Sequence, residues 1–284
     1  MIRLVASDID GTMIGENNTI TQKNLKAIQD MRQSNIDFTI CTGKPYSMVK
    51  NFCKDLQANY GIFGNGNQIV DLKTGKEIFR KTLSQEEVNI CISLAKKDNL
   101  HIHLYTENEV VTPKLLYMDL RNFVLKDSIY HSKLDFKVVP DMEEYIQRHH
   151  PIIFKLVISS PSDLLYLKND LDQKTNLTIY RIKKLNQYKD RVINKEYEYL
   201  DITPSKTNKN EALAILTKYL ELSSSEVMAI GDNLNDIDMI KNSGIGVAVA
   251  NAFDAVKKVA TYTTTNNVDN SGFAEAVYKY ISFK

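Results

Sequence analysis

The chain is poor in cysteine, has no long apolar run and carries almost no net charge. Its three cysteines, Cys41, Cys53 and Cys91, are an odd number without C-x-x-C spacing. A disulfide framework and a zinc knuckle are therefore not expected, and a reducing, cytoplasmic setting is. No apolar stretch approaches the roughly 18 residues of a membrane span, and the opening MIRLVASDID reaches charge too early for a secretory leader. Lys plus Arg number 36 against 35 Asp plus Glu, so neither nucleic acid nor a membrane surface is the expected partner, a local patch aside. No internal repeat and no low-complexity linker interrupts the chain. What remains, with 43% apolar and 25% charged residues over 284 positions, is globular and long enough for about two domains.

The first third alternates strand and helix signals. Ile2–Ser7 and Phe38–Ile40 read as strands; Thr21–Ser34 and Pro45–Leu56 read as helices, the second with proline at its start. The last third repeats the alternation. Glu211–Leu220 and Ile237–Asn242 read as helices, Val227–Ile230 and Gly246–Ala250 as strands. A helix from Phe253, a short Tyr262–Thr264 run and a helix from Gly272 follow. Such alternation predicts a parallel sheet with helical crossovers. The middle is different: a capping box at Ser84-x-x-Glu87 opens a helix over Gln85–Lys97. Strand signals recur at His101–Tyr105, Ile152–Ser159, Asn176–Ile182 and Tyr197–Ile202, with helices at Met142–His149 and Asp163–Lys174. The expected organisation is an α/β core from 1–82 and 204–284, interrupted by an α+β domain over 83–203.

Two apolar strands run straight into carboxylates, at Leu4-Val5-Ala6-Ser7-Asp8-Ile9-Asp10-Gly11 and at Val227-Met228-Ala229-Ile230-Gly231-Asp232. Ligands of open α/β sheets bind beyond the carboxyl ends of such strands. If both strands are central and parallel, Asp8, Asp10 and Asp232 crowd together, with Asn235 and Asp236 close by. Like charges so placed need a cation, and an all-oxygen set suits Mg²⁺. Competing motifs fail on spacing. A calcium loop counted from Asp8 puts Met13 where glycine is required. There is no G-x-x-x-x-G-K-[ST] run, and Gly64-x-Gly66 lacks the third glycine of a dinucleotide fingerprint. Cys41 precedes a Thr-Gly-Lys turn, but Ser47 stands where a cysteine phosphatase needs arginine. His101 and His103 share a strand face without an evident third ligand, which favours packing over a metal. Asn65-Gly66 reads as a tight turn.

The motifs Asp8-x-Asp10-Gly11-Thr12, Thr42-Gly43, Lys209-x-x-Ala212-Leu213 and Gly231-Asp232-x-x-Asn235-Asp236-x-x-Met239 resemble the four ordered motifs of the haloacid dehalogenase-like superfamily. The inserted middle segment is similar in place and size to the type IIB α/β cap of its Cof-type branch. The Gly246–Ala252 run and the Asn267-x-x-x-Ser271-Gly272 segment are similar to that branch as well. Two departures stand out: Lys44 where many relatives carry arginine, and Asn210 where glycine is common. Lys206 competes with Lys209 for the lysine role, with poorer spacing to Ala212-Leu213.

The resemblance implies a Rossmann-like core with a specificity cap, and Mg²⁺-dependent hydrolysis of a small phosphorylated metabolite, such as a sugar phosphate or a phosphorylated cofactor. It implies that Asp8 attacks phosphorus to form an aspartyl-phosphate, and that Asp10 serves as acid and then base. The metal would lie on the Asp8 and Asp232 carboxylates and the Asp10 main-chain carbonyl. Thr42, Gly43, Lys209 and Asn235 would hold the phosphoryl oxygens, Asn65 being a further substrate contact, and Asp236 would orient a water or pair with Lys209. Thr42 has a simpler alternative, as cap of the helix near Pro45. A phosphotransferase or mutase on the same scaffold, and a ligand-binding regulator without turnover, are the competing functions. The sequence leaves the substrate and the oligomeric state open.

Overall fold

Every residue of β1 (Leu4–Ser7) is buried, as happens when both faces of a sheet are covered. β1 is central in an eight-stranded sheet of the computed structural model, which describes residues 1–15, 19–107, 109–115, 135–184 and 197–283. The sheet also contains β2 (Asp37–Cys41), β3 (Tyr60–Phe63), β4 (Gln68–Asp71), β5 (Glu77–Arg80), β12 (Val227–Gly231), β13 (Ile245–Ala248) and β14 (Tyr262–Thr263), in the order β14-β13-β12-β1-β2-β3-β4-β5. From β14 to β3 all neighbours are parallel, and β4 and β5 extend one edge in antiparallel fashion. Chain order runs away from β1 and β12 in opposite directions. Their carboxyl ends therefore flank the switch point where an open α/β sheet binds ligands.

The helices of this unit are α1 (Gln22–Gln33), α2 (Tyr46–Asp55), α6 (Lys209–Tyr219), α7 (Ile237–Asn242), α8 (Asp254–Lys257) and α9 (Gly272–Tyr280). Thr21 caps α1 by accepting the Asn24 N–H. Ala27, Ile28 and Met31 of α1 and Phe273, Ala276 and Val277 of α9 join one core with Leu4, Val5, Phe38 and Ile230. Phe38 meets Phe273 edge-on, ring centres 5.8 Å apart. The unit consists of Met1–Arg80 with Asn208–Lys284.

A second unit is drawn from the chain between these segments. Its six strands are β6 (His101–Thr106), β7 (Glu109–Thr112), β8 (Asp135–Val138), β9 (Ile153–Ser160), β10 (Thr178–Lys184) and β11 (Tyr197–Thr203), ordered β10-β11-β9-β6-β7-β8. All pairs are antiparallel except β7 with β8. Ile102 and Leu104 of β6 share a core with α3 (Gln85–Lys97), α4 (Met142–His149) and α5 (Leu165–Lys174). The alternating His101, His103 and Tyr105 fall on the opposite face. Ser84 and Glu87 form the expected capping box.

Expected and observed boundaries agree to about two residues for the elements read from sequence. β3, β4, β5, β7 and β8 had no counterpart in that reading. Each is four residues long, and β4, β5, β7 and β8 each carry a charged residue that breaks the apolar run. Among the described residues no helix is long and apolar enough to cross a membrane.

Glu275 of α9 ties down the edge of the first sheet. It accepts the Tyr262 hydroxyl at 2.7 Å and the backbone N–H groups of Thr265 and Asn266 at 2.8 and 2.9 Å. Burial works against its charge, but these donors prevail and bring the carboxyl down to about 2. Because this value lies below the ordinary one, the stabilisation is complete above about pH 4.5 and fades as pH falls through about 2. Glu275→Gln should cost about 2 kcal/mol near neutral pH, from hydrogen bonds to a charged acceptor. Urea melts between pH 3 and 7 should show the difference from wild type shrinking toward the acid end.

Candidate active site

The site begins with two strands in register. Ser7 of β1 lies beside Ile230 of β12, and the Asp8 N–H donates to the Ile230 carbonyl at 3.0 Å. Asp8 and Asp232 therefore leave the sheet as neighbours. After Asp232 the chain turns back, because Asn233 and Asp236 cap each other reciprocally around the short turn Leu234–Asp236. This turn aims Asp236 inward, where its Oδ2 accepts the N–H groups of Asp232 and Asn233 at 3.0 and 2.9 Å.

Lys209 enters from the first turn of α6, whose cap Asn208 accepts the Glu211 N–H at 2.8 Å. Its side chain is 1% exposed. The ammonium donates to Asp8 Oδ1 at 2.7 Å and to Asp236 Oδ1 at 2.6 Å. Lys206, the rival lysine, is exposed. Of the two roles expected for Asp236, the structure shows the pairing with Lys209.

Ligand oxygens of Asp8, Asp232 and Asp236 lie within 4.8 Å of one another, and all three residues are buried. Burial pushes the Asp8 carboxyl well up; Lys209 opposes this while Asp236, Asp232 and Asp10 add to it. Burial followed by the charge of Asp236 raises Asp232 to about 7, against the counteracting Thr12 hydroxyl. Burial alone would discharge Lys209, yet Asp236 and Asp8 more than offset it and hold the ammonium firmly protonated. Three carboxylates thus face one ammonium, and the deficit of positive charge is what a divalent cation supplies. The donors divide unequally. Both oxygens of Asp236 are engaged, whereas the hydrogen bonds to Asp8 and Asp232 fall on Oδ1 of each, from Lys209 and from Thr12 at 2.6 Å. Such an all-oxygen donor set fits Mg²⁺. Gly11 is required here: at φ 87° it lies where side chains are strained, and a Cβ would come 2.3 Å from Asp232 Oδ2.

The loop after β2 supplies a second wall. Thr42 is buried, and its Oγ1 accepts the Lys44 N–H at 3.2 Å while its carbonyl accepts the Asn65 N–H at 3.0 Å. α2 is preceded by Pro45 with no side-chain cap, so Thr42 braces this loop and does not cap the helix. Asn65 sits in the turn Gly64–Gly66 with φ 57° and joins β3 to β4. Its Oδ1 accepts the Asn235 amide at 3.0 Å. A Cβ on Gly43 would stand 3.0 Å from that same Oδ1, so Gly43 lets the two loops close.

Asp10 lies outside this buried group. The side chain is 51% exposed and ion-paired with the Lys44 ammonium. Its backbone is fixed by neighbours: the Gly11 N–H donates to the Ile14 carbonyl at 2.8 Å, and Asn251 donates to the Gly11 carbonyl at 2.7 Å. Asn251 in turn accepts the Val268 N–H at 2.8 Å. Sequence reasoning gave no role to Asn251, to Thr12 or to the Lys44–Asp10 pair. The first two lay inside quoted motifs, which was the available signal; nothing local marks the third. In the second unit, His101 and His103 hydrogen-bond each other through Nε2 atoms 2.9 Å apart. Among the described residues no third His, Cys, Asp or Glu completes a metal-holding group with them.

Residues 5–277 match the haloacid dehalogenase-like hydrolases, and the chain belongs to that family of enzymes. It is 28% identical over 287 residues to a Streptococcus pyogenes serotype M6 protein whose name assigns it provisionally to the phosphatases, with 99% of this chain and 98% of that one covered. It is 26% identical over 281 residues to the 5-amino-6-(5-phospho-D-ribitylamino)uracil phosphatase YcsE of Bacillus subtilis, covering 99% and 96%. A haloacid dehalogenase-like hydrolase of Bacteroides thetaiotaomicron shares the fold, with a TM-score of 0.81 over 99% of this chain and 100% of the other at 24% identity.

The charge arrangement makes a stability prediction. Lys209→Met leaves Asp8 and Asp236 buried without their cation and should cost about 3–5 kcal/mol. Adding Asp8→Asn to that variant removes one orphaned charge and should recover part of the loss. Thermal melts of the two variants in metal-free buffer give the comparison; no recovery in the double variant would mean that the ammonium does not balance Asp8.

Proposed function

We propose that the protein is a phosphatase that hydrolyses small phosphomonoesters, sugar phosphates or phosphorylated cofactors, through an aspartyl-phosphate on Asp8 and with Mg²⁺. The observation that carries this reading is the convergence of Asp8, Asp232, Asp236 and Lys209 at one switch point. Asp8 is the nucleophile. Lys209 holds its Oδ1, which fixes the rotamer and directs the carboxylate at phosphorus. As the bond from Asp8 to phosphorus forms, the bond to the leaving oxygen breaks, and Asp10 passes that oxygen a proton. Asp10 then takes a proton from water as the water oxygen bonds to phosphorus and the acyl-phosphate bond breaks, which returns Asp8 as a carboxylate and releases inorganic phosphate. Thr42, Gly43, Lys209 and Asn235 hold the phosphoryl oxygens; Asp236 keeps Lys209 charged and in place. Mg²⁺ on the Asp8 and Asp232 carboxylates and the Asp10 carbonyl would screen the repulsion between nucleophile and phosphate dianion.

Every group given a chemical role lies in 1–82 or 204–284, and the intervening 83–203 selects the leaving group. A rigid sheet edge suits the reacting groups, while a separate domain can vary its contacts without disturbing them. The relative YcsE acts on a phosphorylated ribityl compound, which supports a small, polar phosphomonoester as the substrate class. Three buried cysteines, all unpaired, agree with a reducing cytoplasm.

Asp8→Asn should lower turnover of p-nitrophenyl phosphate by at least about a thousandfold without loss of fold, since the amide keeps the shape and lacks the nucleophile. Retention of activity within about tenfold would remove Asp8 from that role. Chelation should abolish turnover and Mg²⁺ restore it, while Ca²⁺, with a larger and looser shell, should bind without supporting the reaction. Full activity in EDTA, or rescue by zinc alone, would contradict the carboxylate cluster as the metal site.

A further inference from the structure

The Asp10 side chain stands apart from the buried cluster, in contact with a lysine that no motif assigned to it. We propose that Lys44 is the positioning residue for Asp10, and that it fixes the carboxyl group which serves the leaving oxygen. The proposal rests on the phosphatase reading above.

Both backbones are pinned by hydrogen bonds. The loop carrying Asp10 is held at Gly11 by Asn251 and by Ile14, and Met13 and Ile14 both return N–H bonds to the Ile9 carbonyl, at 2.9 and 3.0 Å. The loop carrying Lys44 is held equally well: its N–H bonds to Thr42 Oγ1, and its carbonyl accepts the Gly64 N–H at 3.0 Å. The strands beneath them, β1 and β2, are parallel neighbours with Ser7 beside Ile40. With both backbones fixed, the freedom left to Asp10 is that of its own two side-chain torsions. A half-exposed carboxylate samples several rotamers unless something holds it. The Lys44 ammonium contacts it and can supply that hold.

Exposure says what kind of contribution this is. The pair is 24% and 51% exposed, and solvated ion pairs of this kind add little to stability. Its worth is therefore geometric. Orientation of a general acid matters in proportion to how much the leaving oxygen needs a proton. A nitrophenolate departs almost unaided, whereas a more basic phenolate does not. A lysine that acts through Asp10 must show that dependence. A lysine that touches the transferring phosphoryl group must not, because that group is the same in every ester.

The test is a series of aryl phosphates from p-nitrophenyl to p-methoxyphenyl, with kcat/KM measured for wild type, Lys44→Met, Lys44→Arg and Asp10→Asn. kcat/KM reports the steps through release of the phenol and so isolates proton donation from later hydrolysis of the acyl-phosphate. Lys44→Met should lose at least about tenfold more on the p-methoxyphenyl ester than on the p-nitrophenyl ester, a modest part of what general acid catalysis supplies. Lys44→Arg should restore most of that loss, and thermal melts should place both variants close to wild type. Equal losses across the series, or no loss at all, would overturn the role of Lys44. Asp10→Asn separates the two levels of the argument. If it shows the leaving-group dependence and Lys44→Met does not, the Lys44 inference fails and the acid role of Asp10 stands. If Asp10→Asn shows none, or wild type hydrolyses none of the esters, both fall together.

Discussion

A buried ammonium sets the terms for the rest of the molecule. Lys209 reaches Asp8, which follows β1, and Asp236, which follows β12, from the first turn of a helix that belongs to neither strand. A charge taken out of water is tolerable only if its partners are close and well oriented. Each nearby feature meets part of that demand. Parallel register puts Asp8 beside the end of β12. The Asn233–Asp236 box turns Asp236 back, and Gly231 leaves room for it, since a Cβ there would come 2.6 Å from the Asp236 side chain. Asn208 caps α6 so that its first residue points inward. With one ammonium among three buried carboxyl groups, the site stays short of positive charge.

What was legible in the sequence, and what was not, follows from the range of each interaction. β1 and β12 could be read because strands covered on both faces are nearly continuous apolar runs that end abruptly, here at Asp8 and Asp232. Lys209 could be read only through the resemblance of Lys209-x-x-Ala212-Leu213 to a family motif, whose Ala212 and Leu213 lie on the buried face of its helix. The strands β4, β5, β7 and β8 were illegible because pairing, and not composition, makes them strands. Asn251 and Thr12 were visible as letters in motifs, but their bonds join the loop after β1 to the far end of the chain, and no local pattern encodes such contacts. Asp10 is the clearest case. Its place in the motif was plain, yet its side chain pairs with Lys44, thirty-four positions away.

The polar bridges around the loop after β1 share a logic. Asn24 donates to the Met13 carbonyl and accepts the Ala274 N–H at 3.0 Å. Thr21 and Ser271 hydroxyls lie 2.7 Å apart, and Asn251 joins Gly11 to Val268. Side chains with both donor and acceptor groups satisfy backbone that no strand or helix can pair. The described part of the loop is thereby pinned at Gly11 and Met13 without regular structure.

The split of the sheet between two chain segments has a consequence for synthesis. Thr12 and its partner Asp232 are 220 positions apart. β1 gains β2 as a neighbour early, but its other edge has no native partner until Val227–Gly231 has left the ribosome. Throughout that interval an apolar strand edge is open to mispairing. The intervening segment carries its own sheet and its own core. The group of Asp8, Asp232 and Asp236 consequently cannot assemble until Val227–Gly231 and the turn that follows it have been made.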